Sequence, residues 1–536
     1  MNTPGAGAQQ RPDHTENTTE NTTENTIENT IENTIENAIE NQGGDVRRGH
    51  AEVVIVGGGP VGMLLAADLA AYGRDVCVLE AKPRTTDEPR AGTLHARTVQ
   101  SLARRGLPHG EAGRAKRRGA NREPFHFAGL PGLSITAPAT EPPVLVKCPQ
   151  AELERRFEAL ARRRGARVLR ESQAVRIAQD LDGVEVTVRT AGGQERVRAE
   201  YLIGADGARS TVRELGGFSA DTHPATVSAL MGQVRLMDPA ALAPGWHRTE
   251  RGWTAAKFDA RGYGRLMTLD CRGPHPERGR PLTLEELGAE AARIVGHAVP
   301  LAEPAHLSRF NDFSRLAGSY RQGRVFLAGD SAHVHFPVGG QGLNTGLLDA
   351  VNLGWKLAHV LRGTAGKDLL DTYCQERRPA AQRVIDNTRA QLALMRPDPR
   401  LDPLRELVAE LLPLPDVSAH LGNLLSAQET SYAPAATGAG RRGTFMPNLA
   451  LAGPGERDLT ALLARGRAVL LLGGDTAQAP RAARGWAHVL TTARAAGPLP
   501  GETMRCAVVR PDGHVLWACG DGELAGVLRQ WFGDPR

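Results

Sequence analysis

The sequence predicts an α/β protein: a parallel-sheet domain interrupted by a strand-rich insertion and followed by a smaller α/β unit. Three observations predict it. The stretch AEVVIVGGGPVGMLLAADLAAYGRDVCVLEA, from Ala51, reads strand, glycine loop, helix, strand. Two later stretches, LIGADGARSTVRE and RVFLAGDSAHVHFP, each run a short apolar strand into a turn of Gly and Asp. The last hundred residues carry a strand, a hairpin and a closing helix of their own.

The 536 residues are too many for one ordinary core, so two to four domains are expected. Basic residues number 65 and acidic residues 60, a net charge of +5, which describes a mixed solvated surface. No dense basic patch points to nucleic acid; Arg162–Arg164 is a short helical run. The six cysteines are scattered without a CxxC, so neither a zinc site nor a dithiol motif is expected. No apolar run reaches the roughly 18 residues that span a bilayer, so no membrane partner is expected. The N-terminus lacks a basic stretch followed by an apolar one, and a reducing cytoplasm is the expected location.

The elements follow in order. Residues 1–50 hold TENTTENTTENTIENTIENTIENAIEN, a four-residue repeat. Its Ile27, Ile31, Ile35 and Ile39 could mark one helix side, but Thr and Asn are poor helix formers, and a disordered low-complexity tail is expected. Val53–Val56 is a continuous apolar run, as in a buried parallel strand. A helix is expected over Met63–Ala71, ended at Tyr72-Gly73, then a strand over Val76–Leu79. CPQAELERRFEALARRRGARVLR reads helix into strand. From Phe218 to Asn311 the sequence shows strand-like pieces and Pro/Gly turns. Pro379–Leu425 reads as mostly helical. RAVLLLGG is a strand, RCAVVRPDGHVLWAC a hairpin turned at Pro511-Asp512-Gly513, and ELAGVLRQWFG a helix.

Gly57, Gly59 and Gly62 form GxGxxG between a strand and a helix. The first allows the turn, the second lets a pyrophosphate approach, and the third lets the helix pack. Pro60 starts the helix, whose N-terminus carries partial positive charge. Glu80 ends the next strand, where a carboxylate binds ribose hydroxyls, so FAD or NAD fits better than NADP. The stretch RVFLAGDSAHVHFPVGGQGLNTGLLDAVNLGWKLA adds Gly329, Gly339, Gly340 and Gly342 between a strand and a helix that begins near Leu343. Such a backbone can approach a flat ring closely.

With GGGPVG, the LIGADG and LAGD stretches resemble the signature set of the group A flavoprotein monooxygenases, the p-hydroxybenzoate hydroxylase fold, over about Ala51 to Pro379. The end of the chain resembles the thioredoxin-like C-terminal domain of phenol and aromatic polyketide hydroxylases, without its CxxC. The resemblance implies a Rossmann-like FAD-binding domain from residues 51–117, 146–217 and 313–390, a β-sheet substrate domain from 118–145 and 218–312, a helical linker at 391–442 and a thioredoxin-like domain at 443–536. It implies that Asp330 holds the ribitol, that Pro337 packs beside the isoalloxazine, and that the backbone of Gly340, Gly342, Leu343 and Asn344 faces its pyrimidine edge. Pro337 and Gly340 are thus the flavin-positioning residues at the catalytic centre, with no side-chain base assigned.

Arg97, with Arg90, is implied to contact the cofactor, Gln150 to lie near its phosphate or ribitol, and Asp206 to serve FAD and pyridine nucleotide. For each, a cap, an ion pair or a turn is the plainer alternative. His333 and His335 are expected to be structural. Phe125, Phe127, Trp253, Phe258 and Phe336 are candidates for an aromatic pocket, against ordinary core packing. The implied reaction uses FAD, NADPH or NADH, and dioxygen, and hydroxylates a polycyclic aromatic polyketide or related phenolic through a flavin C4a-hydroperoxide. Baeyer–Villiger oxygen insertion is the alternative, and a non-catalytic flavin-binding redox sensor a second. Halogenation is disfavoured because WxWxIP is absent. Monomer and homodimer remain open.

Overall fold

The computed structural model describes residues 48–107, 121–277, 280–432, 442–453, 455–474, 479–501, 504–519 and 523–536. The expected low-complexity tail lies outside them, except that its last three residues belong to the first strand. Arg48–Val56 is one strand, with Arg48, Gly49 and His50 registered against Arg196, Val197 and Arg198.

That strand is the centre of a parallel sheet. Gly193–Gly204 flanks it on one side and Val76–Glu80 on the other. Val325–Leu327 extends the sheet beyond the first neighbour, and Arg167–Arg170 beyond the second. The strand order reverses at Arg48–Val56, so a crevice opens at the carboxyl ends of the strands at this switch point. Val53, Val54 and Ile55 are fully buried, and the helix Pro60–Ala71 packs on this strand. The helix Pro60–Ala71 packs against Gly342–Leu361 and Gln150–Arg163. The close helix contact needs small residues: a Cβ on Gly346 would stand 2.8 Å from Val61 Cγ2, and one on Gly354 2.4 Å from Asp68 Oδ2.

The middle region forms a five-stranded antiparallel sheet. Its order is Gly245–Thr249, Gly252–Phe258, Tyr263–Leu269, Ser228–Leu236, Leu301–Asn311. Alternation along the strands gives it two faces. Leu230, Val234, Ala256 and Leu266 pack with Leu287 and Ala291 of a helix, Leu284–Val295, that the strand-and-turn reading of this region missed. The opposite face, with Ala229, Met231, Ala255 and Met267, turns toward the parallel sheet.

The expected helical stretch contains three helices, Asp371–Met395, Asp402–Leu411 and Pro415–Leu425. The first begins eight residues before Pro379, which it carries in its interior. The C-terminal unit is a four-stranded sheet in the order Leu490–Arg494, Ala468–Leu472, Cys506–Val509, Val515–Ala518, closed by the helix Leu524–Phe532. Among the described residues, no helix is long and apolar enough to cross a membrane.

Candidate active site

At the switch point the three glycines have three different surroundings. Gly57 has φ +106°, and a Cβ there would lie 2.3 Å from the Ala205 carbonyl oxygen. A Cβ on Gly62 would lie 2.0 Å from the Gly57 carbonyl oxygen, so this position brings helix and strand together. A Cβ on Gly59 would meet nothing within 4 Å. The second glycine faces open space, as a phosphate-approach position requires. Gly59 is also the N-cap of Pro60–Ala71 and offers no side-chain cap, so the first N–H groups of that helix stay available to an anion.

Glu80 stands beside this cradle. Its carboxylate accepts from Gly58 N (2.6 Å) and Lys82 N (2.8 Å), which fixes the oxygens at the rim of the cleft. Asp206 is held by Ser331 Oγ (2.9 Å), Val212 N (3.1 Å) and Ser210 Oγ. Ser331 also accepts from Gly207 N at 3.1 Å and so ties the second and third Gly/Asp turns together. The neighbouring Asp330 is surrounded by protein but presents its surface to the cavity, and burial pushes its carboxyl above the usual range.

Pro337 and Gly340 also present surface to the cavity, while Phe336, Val338, Gly339 and Gln341 between and beside them are buried. Gly339 and Gly340 have φ +75° and +66°, the left-handed region that favours glycine. Asn344 fixes this turn. Its Oδ1 accepts from His95 N (2.8 Å), and its Nδ2 donates to Thr93 O (3.0 Å) and Gly340 O (2.9 Å). His95 Nε2 pairs with Gly339 O at 2.9 Å. Gly342 and Leu343 open the helix Gly342–Leu361 against the cavity, and its first turn has no acidic residue. That end is suited to developing negative charge on a ligand.

One continuous cavity of about 910 Å³ joins these segments. It runs from Gly57, Gly59, Pro60 and Glu80, past Gln150, Arg90, Asp206 and Asp330, to Pro337, Gly340, Gly342 and Leu343. It then continues over the free face of the antiparallel sheet. Phe125 and Phe336 line this second part, with Trp246 and Phe310, which sequence reasoning did not single out. Phe310 and Phe336 lie 5.6 Å apart.

Three other aromatic candidates are not among the lining residues. Phe127 and Trp253 pack in a buried cluster with Leu133 and Leu412, and Phe258 faces the cluster on the helix side of the sheet. Arg97 is likewise directed elsewhere. Its guanidinium donates to Gln100 Oε1 (2.8 Å) and Gln428 O (2.7 Å) and lies 3.6 Å from the Phe445 ring centroid. It fastens the linker and the C-terminal unit, and the cavity-facing arginine of that segment is Arg90. Gly62 and Asn344 stand behind the lining and shape it.

His333 is buried and hydrogen-bonded to Asp349 at 2.7 Å, as a structural histidine should be. His335 and His95 line the cavity, and burial lowers each to about 4, so both are neutral at pH 7. Among the described residues, each has one ring nitrogen without a partner, His335 Nε2 and His95 Nδ1. His95 was not singled out in the sequence, because the partner that holds its ring, the Gly339 carbonyl, lies 244 residues away.

A dinucleotide cleft that continues past a glycine turn into an aromatic chamber defines a flavin-dependent oxidoreductase with an organic substrate. The chain belongs to the FAD-dependent aromatic-ring hydroxylases: the FAD binding domain family matches residues 50–388, and the aromatic-ring hydroxylase C-terminal family matches residues 439–535. These are enzymes that use FAD, NAD(P)H and dioxygen. A relative in Streptomyces rimosus subsp. rimosus, 12-dehydrotetracycline 5-monooxygenase/anhydrotetracycline 6-monooxygenase, is 38% identical over 505 residues, covering 90% of this chain and 99% of its own. Dialkyldecalin synthase of Streptomyces rugosporus is 35% identical over 484 residues, covering 90% and 98%. The solved structure of OxyS anhydrotetracycline hydroxylase from Streptomyces rimosus superposes with a TM-score of 0.81 at 37% identity, covering 91% of this chain and 100% of that one.

Proposed function

We propose that this enzyme inserts one oxygen atom into a polycyclic aromatic polyketide or a related phenolic. The observation that carries the reading is the single cavity joining the glycine loop, Glu80 and Asp330 to Pro337–Leu343 and on to the aromatic sheet face. FAD, when bound, accepts hydride from NAD(P)H and delivers an oxygen atom derived from dioxygen. The residues supply the rest. The Gly59 cradle and the helix start at Pro60 take the pyrophosphate, Glu80 the adenosine ribose, and Asp330 the ribitol. Pro337 and the Gly340–Leu343 backbone fix the ring plane, and the helix N-terminus favours negative charge on its pyrimidine edge. Phe125, Phe310 and Phe336 hold a flat substrate by stacking and exclude water from the transfer.

Under this reading, residues 51–117, 146–217 and 313–390 serve FAD, 118–145 and 218–312 the substrate, 391–442 link, and 443–536 support the core. Neutral His95 and His335 can accept or donate a hydrogen bond to ring or substrate oxygens without carrying charge. Aerobic incubation of the holoenzyme with NAD(P)H and a panel of polycyclic phenols and quinones tests the proposal. The expected result is accelerated NAD(P)H oxidation and a product heavier by one oxygen. Acceleration with peroxide alone across the panel, or no acceleration, counts against it. A ketone converted to a ring-expanded ester would select Baeyer–Villiger insertion instead.

A further inference from the structure

The substrate end of the cavity carries two cations placed side by side without an acid. Lys257 and Arg265 are direct cross-strand partners on Gly252–Phe258 and Tyr263–Leu269. Both line the cavity. Like charges directly opposite on neighbouring strands repel. Among the described residues, neither makes an ion pair. The other arginines of this sheet and its helix contrast with them: Arg235 pairs with Glu303 (2.8 Å), Arg309 with Glu286 (2.8 Å), and Arg293 with Asp270. Lys147, also on the cavity wall, adds a third cation. Burial and the Lys257 charge lower its pKa, with Glu123 opposing. Both side chains are exposed to the open cavity, so water screens part of their repulsion; an anion set between them would still meet two neighbouring cations.

Their position along the sheet adds a length. Leu269 is registered with Ala229, which is registered with Phe310, the ring next to Phe336 and the Pro337 turn. Arg265 lies four residues back along the same strand, about 13 Å away. Met267 and Met231, partners on the intervening rung, line the path between. A single ring held at Phe310 and Phe336 would not reach Arg265, whereas an extended fused-ring skeleton would.

We propose that Lys257 and Arg265 form an anion subsite, which receives an ionised substituent (a carboxylate or an acidic enol) at the end of an elongated polycyclic substrate remote from the reacting ring. This rests on the monooxygenase reading and narrows its substrate class. The subsite sets orientation: with the anion anchored, the opposite end of the skeleton lies at the Pro337–Gly340 turn.

Equilibrium binding of an anthraquinone carboxylate and its methyl ester to the oxidised holoenzyme, followed by perturbation of the flavin spectrum, tests this. The acid is expected to bind about tenfold or more tightly than the ester, about 1.4 kcal/mol. Added salt should shrink the difference by weakening the acid alone. Lys257→Gln and Arg265→Gln should each reduce the preference and together abolish it, leaving ester affinity unchanged. Melting temperatures should hold or rise, because the repulsion is relieved. Equal binding of acid and ester by the wild type overturns the subsite, and so does parallel loss of both ligands in the variants. A variant that raises KM for NADPH but not NADH, with acid preference intact, reassigns the pair to the reductant's phosphate. Oxygenation of both probes without preference removes the subsite and leaves the activity standing; preference without any oxygenation removes the activity instead.

Discussion

Glu80 illustrates how one residue joins local structure to binding. Its carboxylate is oriented by Gly58 N and Lys82 N before any ligand arrives, so little ordering remains for the complex. Glu80→Ala should weaken FAD binding by about 1.5–3 kcal/mol, the range for hydrogen bonds to a charged group, with turnover per bound flavin little changed. Reconstitution of the apoprotein at limiting FAD measures this, and unchanged occupancy would refute the ribose role. Gly340 makes the complementary case. Its φ of +66° disfavours a β-branched residue, and a Cβ would point into the cavity with only His95 Nε2 nearby, at 3.6 Å. Gly340→Val should therefore fold with near-normal secondary structure but seat the flavin poorly, and its NADPH oxidation should yield mainly peroxide. Tight coupling of NADPH use to product would contradict that placement. Glu80, Asp206 and Asp330, singled out from short motifs, all line the cavity. Arg97 was misplaced because its direction is set by Gln428 and Phe445, more than 300 residues away, which no local pattern encodes.

At the scale of elements, the cofactor turn depends on a buried carboxylate of the helix behind it. Asp349, on Gly342–Leu361, accepts from Gly329 N (3.1 Å) and His333 Nε2 (2.7 Å) on the turn, and from Arg377 Nε (2.8 Å) on Asp371–Met395. Against burial, His333 and Arg377 hold its carboxyl below the usual range. Asp349→Asn keeps the volume but leaves Arg377 buried without its counter-charge, at a cost of about 3 kcal/mol or more. A lowered melting temperature together with faster FAD release is expected. Lower stability with unchanged FAD release would show that Asp349 supports the helices and not the turn.

The elements themselves were largely legible where period and glycines agree, as in the first strand–loop–helix. The helix Leu284–Val295 also had its signals: Thr283 accepts from Glu286 N, Leu287, Ala291 and Ile294 are buried on one side, and Gly296 closes it with φ +87°. It was overlooked because the surrounding Pro and Gly turns dominated the reading. The faces of the antiparallel sheet, and hence Lys257 and Arg265, became visible only once strand register was known.

Over the whole molecule, the C-terminal unit is held by charge buried with aromatic rings. Arg510, at the end of the hairpin strand Cys506–Val509, reaches Glu376 of the long helix with both terminal nitrogens, at 2.6 and 2.9 Å, and also pairs with Asp512. It lies between Trp355, Trp531 and Tyr432, with ring centroids 5.3, 5.1 and 5.2 Å away. Tyr432 in turn accepts from Arg377, the partner of Asp349, so the hairpin is connected through three side chains to the cofactor turn. Burial opposes ionisation of Glu376, but Arg510 and Lys356 hold its carboxyl down at about 2. Arg510→Met preserves length and packing among the rings but removes the cation. Among the described residues, Glu376 then retains Lys356 and the Asn352 amide, which donates at 2.7 Å, and Asp512 retains His514 and the indole N–H of Trp355 at 3.1 Å. Breaking a buried pair from one side costs about 3–5 kcal/mol because the remaining charge has no water to return to. The melting temperature should fall by several degrees, and at intermediate temperature FAD should dissociate with the loss of tryptophan burial and not after it. If Arg510→Met melts like the wild type, hydrophobic contact alone docks the C-terminal unit; if it melts lower but holds FAD until the core unfolds, the connection through Tyr432 and Arg377 does not reach the cofactor turn.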